Sequence, residues 1–164
     1  MSPHLLGTLN FAAAIAAGLV AGVFFGFSNF IMAALGRIAP AEGAAAMNAI
    51  NITVINPAFM ILLFGAGLLG LVLAAMSFGL IATLDGKLML AAGLVYVLGC
   101  IGVTMVCNVP LNDALAAVTP GTPEALSLWT RYLGEWTFWN HVRMAASLAA
   151  AILFAWAGIL SIAR

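Results

Sequence analysis

Hydrophobic residues fill four long stretches of this chain that contain no Asp, Glu, Lys or Arg. These stretches cover residues 5–36, 43–84, 88–112 and 144–163. Each can hold the roughly 20 apolar residues that a transmembrane helix needs. The runs are continuous and rich in Ala, Leu and Gly, whereas the strands of a membrane β-barrel alternate apolar and polar residues. The pattern therefore predicts an all-α fold, a four-helix transmembrane bundle.

Helix start and stop signals give approximate bounds for these four spans. We expect TM1, TM2, TM3 and TM4 at about residues 8–35, 57–80, 87–108 and 141–162. Pro57 suits the first turn of a helix, and Asp85-Gly86 is a turn signal between TM2 and TM3. TM3 is expected to end before Pro110, because proline disfavours helical geometry in the residue that precedes it. No linker divides the chain, so a single membrane domain over residues 1–164 is predicted.

Two shorter helices are predicted between the spans. One runs from Pro40 to about Val54 and carries Asn48 and Asn51, which makes it too polar to cross a membrane comfortably. We expect it to be interfacial or re-entrant. The other covers residues 124–136 after the helix start Thr122-Pro-Glu-Ala, and it is predicted to lie as an amphipathic helix along the membrane surface before TM4.

The overall composition agrees with a membrane protein. Hydrophobic residues make up 65% of the chain and charged residues only 6%, whereas about 25% of residues are charged in soluble domains. The N-terminus lacks the basic region of a signal peptide, so the first apolar run is interpreted as a retained helix. Gly18, Gly22 and Gly26 repeat every four residues in TM1 and predict a close packing seam, which could also support an oligomer.

Polar residues are concentrated on one side of the predicted bundle. The connections after TM1 and after TM3 share this side and bring together Asn48, Asn51, Asn56, Asn108, Asn112, Asn140, His141 and Arg143. In TM3 a weakly polar stripe of Tyr96, Cys100, Thr104 and Asn108 climbs toward the same rim. In lipid such a stripe must face protein or a water-lined cavity, so it forms either interhelical hydrogen bonds or a pocket wall.

The entrance of TM4 holds the densest group of polar and aromatic residues. Trp136, Asn140 and Arg143 fall on one helical face, Trp139 flanks it, and His141 projects about 100° from Asn140. Each residue type has a structural and a functional interpretation. The tryptophans form either an interfacial belt or an aromatic clamp for a flat ligand. The arginine either snorkels to the phosphate region or stabilises an anion, and the histidine is either an interfacial hydrogen-bonding residue or a general base.

Several classes of site find no support in the sequence. The two histidines, His4 and His141, are predicted on opposite sides of the membrane, and no Cys or carboxylate cluster with metal-ligand spacing is present. Haem with His141 as its single axial ligand remains conceivable. Otherwise no cofactor is expected. There is no glycine-rich phosphate loop after a strand, and no basic patch for nucleic acid.

Six segments together resemble the DUF1772, or anthrone oxygenase-like, family of membrane proteins. They are residues 22–28 (GVFFGFS), 40–43 (PAEG), 47–51 (MNAIN), 56–59 (NPAF), 108–112 (NVPLN) and 136–143 (WTFWNHVR). The resemblance extends from TM1 to TM4. It implies a four-helix membrane protein, some of whose fungal relatives oxidise anthrones to anthraquinones with O₂ without a recognised metal or flavin. For this chain we expect a multi-pass protein of a bacterial inner membrane.

The resemblance leads to a specific hypothesis for the site. An electron-rich anthrone- or phenol-like substrate would stack near Trp136 and Trp139, and His141 would remove its acidic proton. Arg143 would stabilise the resulting enolate. The amides expected to help bind the substrate are those of Asn51, Asn56, Asn108, Asn112 and Asn140.

Other functions stay open from the sequence. The same rim could belong to a non-enzymatic membrane protein that holds a lipid, a quinone or a partner helix, or to a haem or quinone redox protein. The expected partners are membrane lipid and an apolar aromatic small molecule, with no nucleic acid.

Overall fold

The computed structural model describes residues 2–164 and confirms the all-α fold. Four helices in this part of the chain are long and apolar enough to cross a membrane. The five helices are α1 (Pro3–Leu35), α2 (Pro40–Thr53), α3 (Pro57–Leu80), α4 (Leu84–Ala117) and α5 (Pro123–Ile162). The protein is therefore an integral membrane protein, with the short α2 between its first two spans.

Most helices begin where the sequence places a capping side chain. The side chains of Ser2, Asn56, Thr83 and Thr122 each accept a hydrogen bond from a backbone N–H in the first turn of the helix that follows. Proline occupies the first position in three of these helices, at residues 3, 57 and 123. An oxygen at the cap satisfies a backbone donor that the helix itself leaves free, and proline has no such donor to lose. These local signals fix the starts of the helices.

The predicted end of TM3 before Pro110 is wrong, since α4 continues through Pro110 to Ala117. Two π-helical segments, Val97–Gly102 and Thr104–Asn108, precede the proline. A π-helical turn shifts the hydrogen bonding to i→i+5 and widens the helix locally. The widened turn accommodates the pyrrolidine ring of Pro110, which would clash with the preceding turn of a regular α-helix.

The expected break between an amphipathic helix and TM4 is also absent. Residues Pro123–Ile162 form one continuous helix of 40 residues. At 1.5 Å per residue it measures about 60 Å, roughly twice the thickness of a bilayer's hydrocarbon core. Part of α5 therefore extends beyond the hydrocarbon layer, in line with the span and not as a separate helix along the membrane surface.

Two separate hydrophobic cores result from this geometry. The membrane core joins α1, α3, α4 and α5 through buried residues such as Ala13, Ala17, Leu73, Met89 and Phe154. The second core lies on the side of the α1–α2 and α4–α5 connections, in a region that we call the cap. It is formed by Met32, Met47, Leu111, Leu115, Trp129, Tyr132 and Trp136. The boundary between these two cores is where the polar residues of α5 lie.

The predicted packing seam of TM1 does not form within the chain at Gly22. Gly22 is exposed, and a methyl group added there would meet no other atom within 4 Å. The close approach of α1 to α5 lies elsewhere, where a Cβ on Gly158 would be 3.3 Å from Gly7 O. An oligomer formed through the Gly18, Gly22 and Gly26 stripe stays a prediction.

At the far end of the bundle, a buried carboxylate joins α4 to α5. Asp85 is 2% exposed, and its Oδ2 accepts hydrogen bonds from Ser161 Oγ at 3.1 Å and from Arg164 Nη2 at 2.6 Å. Asp85 and Gly86 lie in the first turn of α4, not in the connecting turn that the sequence predicted. The ion pair holds the ends of the two helices together on the side opposite the cap.

Candidate functional site

A cavity of about 200 Å³ lies at the boundary between the membrane core and the cap. All five helices contribute to its wall. Its polar lining residues are Asn51, Thr104, Asn112, Trp136 and Arg143. The remaining wall is apolar and comes chiefly from the phenylalanines 24, 27, 59 and 64 and the methionines 47, 60 and 105. For comparison, a cavity of about 150 Å³ accommodates benzene, so this one admits at least one aromatic ring.

Arg143 is the only charged residue of the cavity lining. It is 5% exposed, and its guanidinium carbon lies 4.3 Å from the ring centroid of Phe24 and 4.9 Å from that of Trp136. The Nη2 atom donates to Asn140 Oδ1 at 2.8 Å, and Nη1 donates to Thr104 Oγ1 at 3.4 Å. A guanidinium has five N–H donors, and the buried Nε has no partner. Arg143 therefore keeps donors for a ligand.

No carboxylate neutralises this arginine. Over residues 2–164, the ion pairs are Arg131 with Glu135 on the surface and Arg164 with Asp85 at the far end. A buried cation in a membrane protein usually has an anionic partner, because burial of an unpaired charge is unfavourable. At Arg143 only aromatic faces and neutral oxygens stabilise the charge. The site is thus electrostatically suited to receive an anionic oxygen.

Asn140 positions the arginine instead of contacting a ligand. Its Nδ2 donates to Phe24 O and to Ser28 Oγ, both at 2.8 Å, while its Oδ1 accepts from Arg143. Both amide hydrogens are thereby used. The predicted role of Asn140 in substrate binding is not supported by this geometry, since the residue is fully buried and does not line the cavity.

The contact with Phe24 O coincides with an irregularity in α1. The helix changes to π-helical geometry over Phe27–Ile31, directly after the turn that carries this carbonyl. Such a change disturbs the regular i→i+4 bonding, and Phe24 O accepts a hydrogen bond from Phe27 N. Asn140 Nδ2 donates to the same carbonyl as a second donor and so connects α5 to α1 at the level of the cavity.

A second polar part of the cavity consists of two asparagines that are hydrogen-bonded to one tyrosine. Tyr132 donates its hydroxyl hydrogen to Asn112 Oδ1 at 2.7 Å and accepts from Asn51 Nδ2 at 3.4 Å. Asn51 and Asn112 both line the cavity, as predicted for a binding role. Tyr132 was missed by the sequence reasoning. Its spacing of four residues from Trp136, on the same helical face, could have identified it.

Stacked rings hold the cap side of the cavity rigid. The Tyr132 ring stacks on Trp136 with centroids 5.8 Å apart and on Trp129 with centroids 5.7 Å apart. The Phe27 ring meets Trp136 edge-on at 5.5 Å. Trp136 is 4% exposed, so it is a buried wall of the cavity and not part of an interfacial belt.

Besides Asn140, three more of the predicted binding residues lie outside the cavity. Asn56 is exposed and caps α3, where its Oδ1 accepts from Phe59 N. Asn108 is buried and donates from Nδ2 to Trp136 O at 3.1 Å, which ties α4 to α5. Trp139 is half-buried and meets Phe138 edge-on. Their structural contacts explain these residues without a ligand.

The structure does not bring His141 to this site. It follows Asn140 directly, so its side chain leaves α5 on a different face. It is exposed and does not line the cavity. Its predicted roles as general base or haem ligand stay predictions without support from this geometry. Among residues 2–164, no three His, Cys, Asp or Glu side chains are grouped so that they could hold a metal ion.

Comparison with protein families adds a finding to this geometry. The family model described as anthrone oxygenase matches residues 53–153, which include α3, α4 and most of α5 with Arg143, but not α1. Comparisons with curated proteins and with solved structures gave no match. Since the matched segment covers more than half of the sequence, this chain belongs to the anthrone oxygenase family, also called the DUF1772 family.

Proposed function

We propose that this protein is a membrane oxygenase that oxidises an electron-rich aromatic substrate of the anthrone or phenol type with O₂. The observation that carries the proposal is the buried Arg143, which faces an apolar, ring-sized cavity without a carboxylate partner. The family membership adds weight to the reaction type. The expectation of a bacterial inner membrane as its location belongs to the same proposal.

Arg143 would act on the ionised form of the substrate. Loss of a proton from the methylene carbon of an anthrone gives an enolate whose negative charge resides largely on oxygen. A cation fixed in an apolar, water-poor site stabilises such a charge far more than water does, because it needs no reorganisation. The anionic oxygen would accept hydrogen bonds from the free guanidinium donors, and the proton would pass to water at the membrane interface near the start of α3.

The aromatic walls would hold the ring system of the substrate. Phe24 and Trp136 lie over the guanidinium, so a ring bound beside them stays close to the charge. The electron-rich carbanion then transfers an electron to O₂, and the two radicals combine into a peroxide at the former methylene carbon. Loss of water leaves a ketone. In balance, the carbon loses two hydrogens and gains one oxygen atom, and the other oxygen atom leaves as water.

The site is also placed to take its reactants from the membrane. Four residues of the cavity lining, Val23, Ile55, Phe64 and Met105, are exposed on the outer surface of the bundle. They mark a lateral mouth near the start of α3. Both O₂ and an apolar aromatic compound are enriched in the bilayer, so this mouth gives them a direct path to Arg143.

The proposal is tested with protein reconstituted in lipid nanodiscs and supplied with anthrone. We expect one O₂ consumed per anthraquinone formed, and one ¹⁸O atom from ¹⁸O₂ in the product. Arg143→Met should lower the rate by about 100-fold or more, in the range seen when an oxyanion-stabilising group is removed. Arg131→Met is the matched control, since Arg131 lies on the same helix but is exposed and paired with Glu135.

The outcomes separate catalysis from binding. A rate no higher than the autoxidation of anthrone in empty nanodiscs, together with tight anthrone binding, would favour the non-enzymatic ligand-binding function. Arg143→Lys guards against a folding artefact. It keeps the charge, so it should retain more activity than Arg143→Met at a similar melting temperature.

A further inference from the structure

We infer that the amides of Asn51 and Asn112, ordered by Tyr132, form a second contact that selects ligands carrying a neutral hydroxyl group. This inference rests on the proposed function, because it concerns the ligand that Arg143 binds through an anionic oxygen. It assigns to the cavity a specificity-determining pair of residues and a third residue that positions them.

Tyr132 fixes the orientation of the two amides. The Tyr132 hydroxyl has one hydrogen, which it donates to Asn112 Oδ1 at 2.7 Å. The Asn112 amide is therefore fixed with its NH₂ group turned away from the tyrosine. Asn51 approaches the same hydroxyl from its Nδ2 at 3.4 Å, which leaves its Oδ1 on the other side.

The outer atoms of the two amides, Asn112 Nδ2 and Asn51 Oδ1, are free. Neither Asn112 Nδ2 nor Asn51 Oδ1 takes part in a hydrogen bond with residues 2–164, and neither belongs to the buried polar atoms without a partner. Both side chains are half-buried and line the cavity. Each amide thus keeps one atom without a partner, a donor on Asn112 and an acceptor on Asn51, and both residues line the same cavity.

A free amide donor and a free amide acceptor match a hydroxyl group of a ligand. A phenolic hydroxyl both donates and accepts a hydrogen bond, so it can satisfy an amide N–H and an amide oxygen at once. A ketone accepts only, and a C–H edge does neither. Sites built to hydrogen-bond a hydroxyl discriminate strongly against analogues that lack it, because the polar groups of the protein are then left unpaired.

The two asparagines are separate from the charge of Arg143. Arg143 bonds to Asn140 and Thr104, whereas Tyr132 lies three turns earlier on α5 and bonds to α2 and α4 residues. The cavity therefore has two polar positions of different chemistry. One is cationic, and one is neutral with both donor and acceptor. The ligand class that fits is an aromatic compound with one ionisable oxygen and at least one additional hydroxyl group.

The test compares anthrone with 2,7-dihydroxyanthrone, whose hydroxyl groups are not adjacent to the carbonyl, by quenching of tryptophan fluorescence, under anaerobic conditions so that no turnover occurs. Wild-type protein should bind the dihydroxy compound more tightly. Tyr132→Phe and Asn112→Leu should each weaken binding of that compound by about tenfold, while anthrone binding stays within about twofold. Each ligand is compared with itself across variants, so its partition into detergent cancels.

The matched control is Tyr96→Phe. Tyr96 is also a fully buried tyrosine, but its hydroxyl donates to Leu63 O at 3.1 Å and it does not line the cavity. We expect no change in either affinity. The inference is overturned if Tyr132→Phe and Asn112→Leu weaken both ligands equally or neither. Failure of the proposed function would show instead as absent O₂ uptake with the binding preference intact.

Discussion

Asn140 Oδ1 accepts a hydrogen bond of 2.8 Å from Arg143 Nη2, across one turn of α5. The same asparagine is held by Phe24 O and Ser28 Oγ, so α1 determines where the guanidinium lies. A carboxylate at position 140 would pair with the arginine, whereas the amide holds it and leaves its charge uncompensated. This choice keeps the cavity cationic and leads to the first prediction.

Asn140→Asp should slow anthrone oxidation strongly, and it should also lower the melting temperature because a carboxylate cannot donate to Phe24 O. Asp has nearly the volume of Asn, and its carboxylate would form an internal ion pair that removes the net charge available to an enolate. We expect the rate of O₂ uptake to fall by about 100-fold. Asn29→Asp, the same change at an exposed position of α1, is the control. An Asn140→Asp protein with the wild-type rate would show that the charge of Arg143 is not used.

His141→Ala should leave the rate of anthrone oxidation within about twofold of wild type. The imidazole is exposed and lies outside the cavity, so it has no path to the proton of a substrate bound beside Arg143. The measurement is the initial rate of O₂ uptake between pH 6 and pH 8. A loss of tenfold or more, steepest at the alkaline end, would restore His141 to the role of general base that the sequence predicted.

Met105→Trp should slow the reaction by narrowing the lateral mouth. Met105 is 54% exposed and lines the cavity, so a larger ring there obstructs entry from the bilayer. We expect the apparent KM for anthrone to rise several-fold. The control is Val106→Trp, since Val106 is its neighbour, is 75% exposed and does not line the cavity. Equal kinetics for the two variants would argue for a different entry route.

Gly93→Ala should lower the melting temperature. A Cβ at position 93 would lie 2.5 Å from Gly70 O and 2.9 Å from Ala74 Cβ, so α3 and α4 would have to move apart. Overpacking of this kind costs about 1–3 kcal/mol and outweighs the gain of up to about 1 kcal/mol that alanine brings to a helix. Gly65→Ala meets no atom within 4 Å and should be neutral or stabilising. Unfolding in detergent, followed by circular dichroism, measures both changes.

Local signals in the sequence were sufficient for much of the fold. The apolar runs identified four spanning helices, and Pro57 and the Thr122-Pro-Glu-Ala segment indicated where two helices begin. Where the signal was ambiguous, the prediction was wrong. A proline such as Pro110 usually marks a helix end, but the π-helical segment before it makes room for its ring, so α4 continues. The stretch before TM4 is continuous with the span because nothing in its sequence interrupts the helix.

The candidate site was predictable only in part. The shared face of Trp136, Asn140 and Arg143 follows from helical spacing, and all three are buried together. Helical spacing does not show that Asn140 positions the guanidinium while Trp136 and Arg143 line the cavity. His141 and Asn140 are neighbours in the sequence, yet one is exposed and the other is 0% exposed, since successive residues on a helix point about 100° apart.

The sequence by itself determined that this is an all-α membrane protein with an arginine and aromatic rings near one end of its bundle. Hydrophobicity and helix capping act over a few residues, so they can be read along the chain. Only the tertiary structure decided that Arg143 lacks a carboxylate partner and that Tyr132 orders two amides. Those facts depend on contacts with distant residues, such as the bond from Asn140 to Phe24 O across 116 positions. The packing of the helices decides which donors and acceptors are used within the protein. It therefore also decides which residues position others and which keep free atoms for a ligand.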